Sequence, residues 1–460
     1  MSSSSEQFLI AAEKKVFDAE HRRKISFNIA QYDKKVIEGK KKFNNLDLSR
    51  SRASVLKTKV IENLDKYLIE FEFNFSKRGG KIIWARDAKE ATDEIIKVLK
   101  HFNTKTVVKS KSMVTEEIHL NDALEKEGIE SLETDLGEFI VQLRGEPPYH
   151  IVTPAMHLSK KDVAKTFHEK KGTPKNYTPQ EITEYVRKFL REKYIVAEAG
   201  ITGANFLIAD IGGVAVTENE GNAWLSMAFP KVHIVVVGIE KMIPSFGDME
   251  LFWSLLATHG TGQNLTAYNS ILTGPKQNGE ADGPEEMYVV LLDNGRTNLL
   301  EQVEQRRALN CIRCGACLNT CPIYQGIGGH AYGSVYSGPI GSIITPQLWG
   351  MKEYKHLSYA SSLCGKCTEG CPVKIDLHKL LLYNRRDSVK DKLTSSTENL
   401  MWLFWKKAMM KRKNMEQGGA KLKNFMLNRF FKKQWGNRRE LPKIASKSFN
   451  QQWRESKGMR

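Results

Sequence analysis

The stretch C-I-R-C-G-A-C-L-N-T-C-P at residues 311–322 decides how this chain is built. A second and shorter run, C-G-K-C-T-E-G-C-P, follows at residues 364–372. Together the two runs hold all seven cysteines of the chain: Cys311, Cys314, Cys317, Cys321, Cys364, Cys367 and Cys371. Cysteines at such short and regular intervals have the spacing of metal ligands.

The first run has the C-x2-C-x2-C-x3-C-P spacing of bacterial two-cluster ferredoxins, in which the fourth cysteine ligates the other cluster. Three thiolates on a tight loop can reach three corners of one cubane cluster, while the fourth points towards the second. By this logic the first cluster receives Cys311, Cys314, Cys317 and Cys371, and the second receives Cys321, Cys364 and Cys367. The sequence therefore predicts iron–sulfur clusters that carry electrons one at a time.

The second run is one cysteine short. Counted back from Cys371, it has Ser361 where the first run has Cys311. The second cluster is then either a three-iron cluster or a four-iron cluster with a non-cysteine ligand at one iron. Ser361 is a candidate for that ligand, and the alternative is an ordinary surface hydroxyl.

Zinc is the main alternative to iron–sulfur, because structural zinc sites often use two C-x2-C knuckles. Seven cysteines do not divide into four-ligand zinc sites without histidine, and only His330 and His356 lie between the two runs. The four-cysteine run with its trailing Cys-Pro favours iron–sulfur ligation. Disulfides are disfavoured, since the chain begins without the basic and apolar layout of a secretory signal.

Length and composition indicate an ordinary globular protein. A chain of 460 residues suggests about three domains, and 41% hydrophobic residues suffice for their cores. The longest apolar runs are far too short to cross a membrane. These features predict a cytoplasmic protein.

Positive charge is concentrated at the C-terminal end. Residues 401–460 hold 17 Lys and Arg against 3 Glu, a net +14, whereas the whole chain carries +17. The first 400 residues therefore carry 17 − 14 = +3. Aromatic residues are interleaved in this basic tail: Trp402, Phe404, Trp405, Phe425, Phe430, Phe431, Trp435, Phe449 and Trp453.

Three functions of the basic tail remain open. It can dock a partner subunit, lie on the anionic inner surface of a membrane as a peripheral contact, or bind nucleic acid. Partner docking is the favoured interpretation. Nothing else in the chain supports nucleic-acid recognition, so no nucleic-acid partner is predicted.

Secondary-structure signals divide the remaining chain. Residues 6–69 are highly charged, lack proline and have helical character, and an α/β alternation follows the glycine pair at residues 79–80. Asp87 is a candidate N-cap. Strands are predicted at residues 81–85, 106–108, 129–132, 151–152, 223–228, 232–239 and 287–292. Helices are predicted at residues 120–127, 177–194, 248–259 and 298–309, and the 42 residues between the cysteine runs are predicted to form loops and a short helix over the clusters.

Small and polar residues in the middle of the chain predict a ligand cleft beside the strands. Asn205, Glu220 and Asn222 are its candidate residues, because glycine N–H groups and side-chain amides can bind a carboxylate. The alternative is plain turn chemistry. Glu218 and Glu220 are also candidate nucleophiles or general bases, although no paired partner is identifiable. No phosphate-binding loop or dinucleotide fingerprint is present, so a nucleotide or flavin site has no support.

From about residue 53 to residue 410 the chain resembles the lactate-utilization protein B family. The segments that carry the resemblance are V-K-S-K-S-M (108–113), A-G-I-T-G-A-N (199–205), T-E-N-E-G-N (217–222), H-I-V-V-V-G-I-E-K (233–241), D-N-G-R (293–296), residues 311–324, G-G-H-A-Y (328–332), G-P-I-G (338–341) and residues 364–375. The basic tail is only loosely comparable.

The resemblance implies an α/β fold similar to sugar-phosphate isomerases and CoA transferases, followed by a helical two-cluster ferredoxin-like module. It also implies two 4Fe–4S clusters, the second with three cysteine ligands, on the two sets named above. The expected domains are a charged helical N-terminal region (1–69), the α/β lactate-utilization domain (70–297), the two-cluster module (298–395) and the basic helical tail (396–460).

The function implied by the resemblance is electron transfer in a three-protein system that oxidises L-lactate to pyruvate and allows growth on lactate. The expected partners are the two other lactate-utilization subunits, and this chain is an electron-transfer component rather than a stand-alone catalyst. The alternative is a ligand-binding or group-transfer protein of the CoA-transferase-like fold whose clusters sense redox state. The sequence does not identify the electron acceptor.

Overall fold

The computed structural model describes residues 3–436 and 439–458. The chain forms two compact units, residues 1–388 and residues 389–460. The first unit contains the sheets and both cysteine runs, and the second contains the basic tail.

Four charged helices open the first unit: α1 (Ser4–Val16), α2 (Ala19–Lys40), α3 (Leu46–Glu62) and α4 (Leu64–Lys77). Ser3, Asp18 and Asn45 cap the first three of them by accepting backbone N–H groups. The predicted helical character is confirmed, and it extends past residue 69. The last three of these helices bury apolar residues, and Ile25 and Ile29 of α2 lie in the same core as the cysteine loops.

Ten strands follow: β1 (Lys81–Ala85), β2 (Thr106–Lys109), β3 (Glu130–Glu133), β4 (Ala199–Thr202), β5 (Phe206–Ile208), β6 (Gly213–Glu218), β7 (Val232–Gly238), β8 (Met242–Ile243), β9 (Tyr268–Leu272) and β10 (Glu286–Leu292). Six of them form a parallel sheet in the order β1-β10-β7-β4-β2-β3. The other four form a smaller, mixed sheet in the order β8-β5-β6-β9. The predicted α/β class is therefore confirmed.

Helices cover and connect these strands: α5 (Ala88–His101), α6 (Met113–Glu117), α7 (Leu120–Lys126), α8 (Leu136–Arg144), α9 (Lys160–Lys171), α10 (Pro179–Val196), α11 (Asn222–Ala228) and α12 (Met249–Thr261). Asp87 caps α5 as predicted, with its side chain accepting the N–H of Glu90. Every residue of β7 is buried. Such a wholly buried strand is typical of a parallel sheet covered on both faces.

Two predicted strands are wrong. Residues 223–228 form most of α11, because the Glu218 carboxylate accepts the N–H groups of Ala223 and Trp224 (both 2.7 Å) and starts a helix there. Ala223 and Met227 then lie one helical turn apart and are both buried. Residues 151–152 form bends, not a strand, and lie between the sheet and the cysteine loops.

The cysteine-containing part is helical: α13 (Arg296–Glu301), α14 (Ala316–Asn319), α15 (Pro322–Ile327), α16 (Gly338–Trp349), α17 (Met351–Tyr354), α18 (Lys366–Glu369) and α19 (Leu377–Lys390). The predicted helix over residues 298–309 is broken, because α13 ends at Glu301 and a tighter 3-10 turn spans Gln305–Asn310. That turn brings Ala308 and Leu309 into the core. The segment between the cysteine runs is more helical than predicted.

The second unit holds α20 (Ser396–Met409), α21 (Arg412–Glu416), α22 (Gly419–Met426), α23 (Lys432–Trp435) and α24 (Phe449–Ser456), with a π-helical turn at Leu427–Phe431. Several large aromatic side chains are exposed there: Trp402, Phe404, Trp405, Phe425, Phe430, Trp435, Phe449 and Trp453. Within the described ranges, no helix has the length and apolar character that a bilayer crossing requires.

Candidate iron–sulfur centre and adjoining cavity

The two cysteine loops repeat one backbone shape. Gly315 and Gly365 have φ angles of +77° and +81°, and each begins a one-turn helix, α14 or α18. The residues two positions before them, Arg313 and Leu363, also have positive φ, at +59° and +54°. A non-glycine residue rarely adopts this conformation, so its recurrence at matched positions marks a built feature of both loops.

The first group of thiols faces one small depression. Cys311, Cys314, Cys317 and Cys371 all line it, and the other three cysteines do not. The rest of the lining is largely apolar, including Ile312, Ile340 and Val373. Backbone N–H groups donate to two of these sulfurs, Arg313 to Cys311 (3.4 Å) and Ile375 to Cys371 (3.3 Å).

Electrostatic interactions divide the seven thiols in the same way. In the first set, in addition to burial, repulsion from Cys371 raises the pKa values of Cys314 and Cys317, and repulsion from Cys311 raises that of Cys371. In the second set, again in addition to burial, repulsion from Cys321 and Cys364 raises the pKa of Cys367, and repulsion from Cys364 raises that of Cys321. Two sets result, one of four thiols and one of three.

The chemistry of these thiols fits iron–sulfur clusters. Burial raises the pKa values of Cys367 and Cys371 to about 11, and it raises that of Cys317 well above the ordinary range. Buried thiolates crowded together are costly unless a metal centre takes up their charge. Cys364 is exposed, so the three-thiol set lies nearer to solvent than the four-thiol set.

Ser361 holds the place of the missing cysteine. The Leu363 N–H donates to the Ser361 Oγ (3.1 Å), just as the Arg313 N–H donates to the Cys311 Sγ (3.4 Å). The serine hydroxyl therefore has the backbone setting of a ligand position. Ser361 is half-buried, and in the sequence it shortly precedes Cys364 of the three-thiol set.

The two histidines that a zinc site would need are engaged elsewhere. His330 Nε2 lies 2.8 Å from the Pro147 carbonyl oxygen, and His356 Nδ1 lies 3.2 Å from that of Glu353.

A cavity of about 400 Å³, lined by both polar and apolar residues, lies at the carboxyl edge of the parallel sheet. Segments that follow four of its strands line it: residues 110–114 after β2, Asp135 after β3, residues 203–205 after β4 and Lys241 after β7. Ligands of open α/β sheets bind at this edge. Arg313, Cys314 and Tyr336 from the cysteine-containing part close the opposite side.

The predicted cleft residues Asn205, Glu220 and Asn222 all line this cavity, so the fold brings them together. The two asparagines also make hydrogen bonds within the protein. Asn205 Oδ1 accepts the Thr217 N–H (2.9 Å), and the Asn222 amide donates to Glu218 (2.7 Å) while accepting the Asp135 N–H (3.3 Å).

Glu220 lies at an acidic end of the cavity. Its carboxylate accepts the Leu136 N–H (3.2 Å), and enclosure by the protein together with repulsion from Asp135 raises its pKa. Part of the residue is exposed, and water on that side limits the shift. Glu218 caps α11 and is thereby occupied by backbone groups.

A buried ionic network borders the opposite end of the cavity. Arg296 is 1% exposed and pairs with Glu117 (2.9 Å) and Glu240 (2.6 Å), and Glu240 also pairs with Arg313 (3.3 Å). Burial alone would raise the pKa of Glu240, but the two guanidinium groups lower it to about 2. Tyr336 donates its hydroxyl proton to Glu117 and stacks under Arg313, 4.6 Å from ring centre to guanidinium carbon.

Lys241 lies beside this network and is 6% exposed. Burial and the charge of Arg313 lower its pKa to about 8. Sequence reasoning did not single out Lys241, Arg296 or Arg313 as site residues. In the sequence they stood out only as members of the G-I-E-K, D-N-G-R and cysteine-run segments, because a single basic residue forms no periodic pattern.

Two family models match the first unit. A LUD domain matches residues 68–292, and a 4Fe–4S dicluster domain matches residues 307–375, a range that includes all seven cysteines. The dicluster match, with its clustered cysteines, indicates two 4Fe–4S clusters, as predicted.

Relatives named lactate utilization protein B are similar over most of the chain. Those of Anoxybacillus flavithermus and Bacillus subtilis are each 48% identical over 355 residues, covering 77% of this chain and 75% and 74% of theirs. That of Geobacillus thermodenitrificans is 49% identical over 338 residues, covering 73% of this chain and 71% of its own. A crystal structure of a duf162 family protein from Deinococcus radiodurans covers 50% of this chain and 98% of its own at 14% identity, but its TM-score of 0.29 supports no statement about the fold.

Proposed function

Because the chain belongs to the lactate utilization protein B family, we propose that it is the electron-transfer subunit of a complex that oxidises L-lactate to pyruvate. Its 4Fe–4S clusters supply one-electron transfer. The oxidation releases two electrons and two protons, so a carrier with two clusters suits it. The partners are two other lactate-utilization subunits.

One observation carries this proposal: Cys314 lines both the four-thiol depression and the cavity at the sheet edge. A small acid bound in that cavity would lie against the first cluster. Electrons released when the complex oxidises that acid would then have a short path to the first cluster. The apolar residues around the depression would keep water from the cluster.

The same proposal includes the ligand sets. Cys311, Cys314, Cys317 and Cys371 hold the first cluster, and Cys321, Cys364 and Cys367 hold the second. The division of the thiols by shared cavity and by electrostatic interaction supports these sets. Ser361 Oγ is the candidate for the fourth ligand of the second cluster.

The finer organisation is also proposed. The α/β region of residues 70–297 has the role of a CoA-transferase-like or isomerase-like domain, with the helical region 1–69 before it. The two-cluster module (298–395) and the tail (396–460) follow it. The tail serves as the contact to a partner subunit or to the inner membrane surface, and the exposed aromatic residues among its basic side chains support such a role.

An electron paramagnetic resonance experiment tests the function. Protein with reconstituted clusters is mixed with L-lactate, with and without the two partner subunits, and the reduced-cluster signal is recorded. We expect lactate to reduce the clusters when the partners are present and D-lactate to have a smaller effect. If lactate never reduces them but redox state changes the affinity for a ligand, the protein is a redox-sensing binder instead.

A further inference from the structure

We propose that Lys241 and Arg313 form an anion-binding site for the carboxylate of a small 2-hydroxy or 2-oxo acid. The site lies in the cavity at the carboxyl edge of the parallel sheet. The choice of ligand class rests on the proposed function, whereas the location of the anion site rests on the side chains alone.

Beside Lys241, the carboxylates of the ionic network are already paired with arginines. Two carboxylates, Glu117 and Glu240, face two guanidinium groups, Arg296 and Arg313. Both oxygens of Glu240 are engaged, one with each arginine. No acidic side chain of this network is therefore left for Lys241.

Lys57, the other buried lysine nearby, shows the contrast. It is 1% exposed, and its ammonium donates to the carbonyl oxygens of Glu240 (2.6 Å) and Met242 (3.0 Å). Among the described residues, the Lys241 ammonium has no hydrogen-bond or ion-pair partner, and Lys241 lines the cavity. Its ammonium is therefore open to an anion that enters the cavity.

Arg313 supplies a second donor to the same space. Its Nη2 pairs with Glu240 (3.3 Å), but its Nη1 is buried and has no hydrogen-bond partner among the described residues. Arg313 and Lys241 both line the cavity. One ammonium and one free guanidinium N–H group can together bind the two oxygens of a carboxylate.

The other residues that line the cavity indicate which carboxylic acids it can bind. The cavity also presents Ser112, Asn205 and Thr217, so a ligand with a second polar group beside its carboxylate would find hydrogen-bond partners. Its volume of about 400 Å³ admits a small acid. Cys314 lies in the same wall, and a carboxylate at Lys241 would hold such an acid next to the first cluster.

Calorimetric titration of the full-length protein with reconstituted clusters tests this site. L-lactate and pyruvate are titrated into the wild type, Lys241→Met and Lys241→Arg, and lactamide serves as the ligand without a carboxylate. Lys231→Met is the matched control, because it removes the same charge before β7, on an exposed side chain that forms an ion pair with Glu285 (3.6 Å).

We expect Lys241→Met to weaken lactate or pyruvate binding at least about tenfold, as for a lost charge-assisted hydrogen bond. Lys241→Arg and Lys231→Met should stay close to the wild type, and lactamide should not bind. Should Lys241→Met fail to fold, equal affinity of the wild type for lactate and lactamide would still overturn the site.

Two further outcomes overturn it. In the first, Lys241→Met shifts the reduction potential of the first cluster but leaves ligand affinity unchanged, so that Lys241 is a counter-charge of the cluster. In the second, the wild type binds no small carboxylate although lactate reduces the clusters in the complex; the proposed function then stands and the site fails. If a carboxylate binds through Lys241 but lactate never reduces the complex, the site stands and the proposed function fails.

Discussion

At the scale of single residues, Ser361 has the local geometry of a cluster ligand, but it offers an oxygen where a cysteine would offer sulfur. Its Oγ accepts the N–H of Leu363 as the Cys311 Sγ accepts that of Arg313. An alkoxide or hydroxyl is a weaker iron ligand than a thiolate, so the iron at that corner is the one most readily lost.

Replacing Ser361 with cysteine should therefore protect the second cluster. We expect mild oxidation of the wild type to give a three-iron paramagnetic resonance signal, and Ser361→Cys to give little or none. Cys321→Ala is the control that should abolish the signal together with the cluster. An equal three-iron signal in wild type and Ser361→Cys would show that the labile iron is not at this position.

Cys371 tests the crossing of ligands between the two runs. It belongs to the second run in sequence but shares its depression with Cys311. Cys371→Ser should perturb the same cluster signal as Cys311→Ser and leave the other signal unchanged. A spectrum matching that of Cys364→Ser would mean that each run binds its own cluster.

His233 makes stability depend on pH. It is buried in β7, its Nε2 lies 2.8 Å from Thr202 Oγ1, and burial lowers its pKa to about 3. Since the folded pKa lies below the unfolded value of about 6.5, the unfolded chain takes up the proton first. The stability contribution is full above pH 6.5 and is lost as the pH falls towards 3.

We expect protonation of this histidine in the unfolded chain to lower the free energy of unfolding by about 1.4 kcal/mol as the pH falls from 7.5 to 5.5. His233→Gln lacks the titrating group, so its stability deficit relative to the wild type should shrink by that amount over the interval. Denaturant unfolding of both proteins at the two pH values measures the change. A constant deficit would show that His233 does not titrate in this range.

At the scale of elements, α11 depends on one carboxylate from the preceding strand. Glu218, at the end of β6, accepts the N–H groups of Ala223 and Trp224 (both 2.7 Å) and the Asn222 amide. α11 is seven residues long, which is too short to be stable alone. Its position, and with it one wall of the cavity, follows from this cap.

Glu218→Ala should lower the unfolding free energy by about 1–3 kcal/mol, because at least two backbone donors lose their partner. Glu218→Gln keeps one acceptor oxygen and should lose less. Denaturant unfolding gives both values, and cluster absorbance should be unchanged in both variants. Equal stability of Glu218→Ala and wild type would mean that water replaces the cap at no cost.

At the scale of the whole molecule, the basic tail is a separate unit with its own chemistry. Its net charge of +14 over residues 401–460 contrasts with +3 for the rest of the chain, and its aromatic side chains are exposed. Charge of this kind steers association with acidic surfaces and is screened by salt.

Deleting residues 411–460 should weaken binding to partner subunits or anionic vesicles and flatten its salt dependence. Binding measured at low and high ionic strength, with full-length protein as the reference, gives both quantities. Iron content should not change, because all seven cysteines precede the deletion. Loss of iron on deletion would assign the tail to cluster retention instead.

The sequence alone determined what rests on local chemistry. The cysteine spacing indicated iron–sulfur clusters, because a cubane cluster needs several thiolates on one tight loop. The strand over residues 81–85 and the Asp87 cap were predicted correctly, since periodicity and capping act within a few residues.

Only the tertiary structure decided the contacts between distant segments. A cap from Glu218 made residues 223–228 a helix despite their strand-like composition. The order of the parallel strands brought Asn205, Glu220 and Lys241 to one cavity, and the cysteine-containing part brought Arg313 to its far wall. These residues lie tens to hundreds of positions apart in the sequence. The cost of burying a charge is reduced only where the fold places an oppositely charged partner next to it. No local pattern encodes that meeting, and so the position of Lys241 beside Arg313 in one cavity could be recognised only in three dimensions.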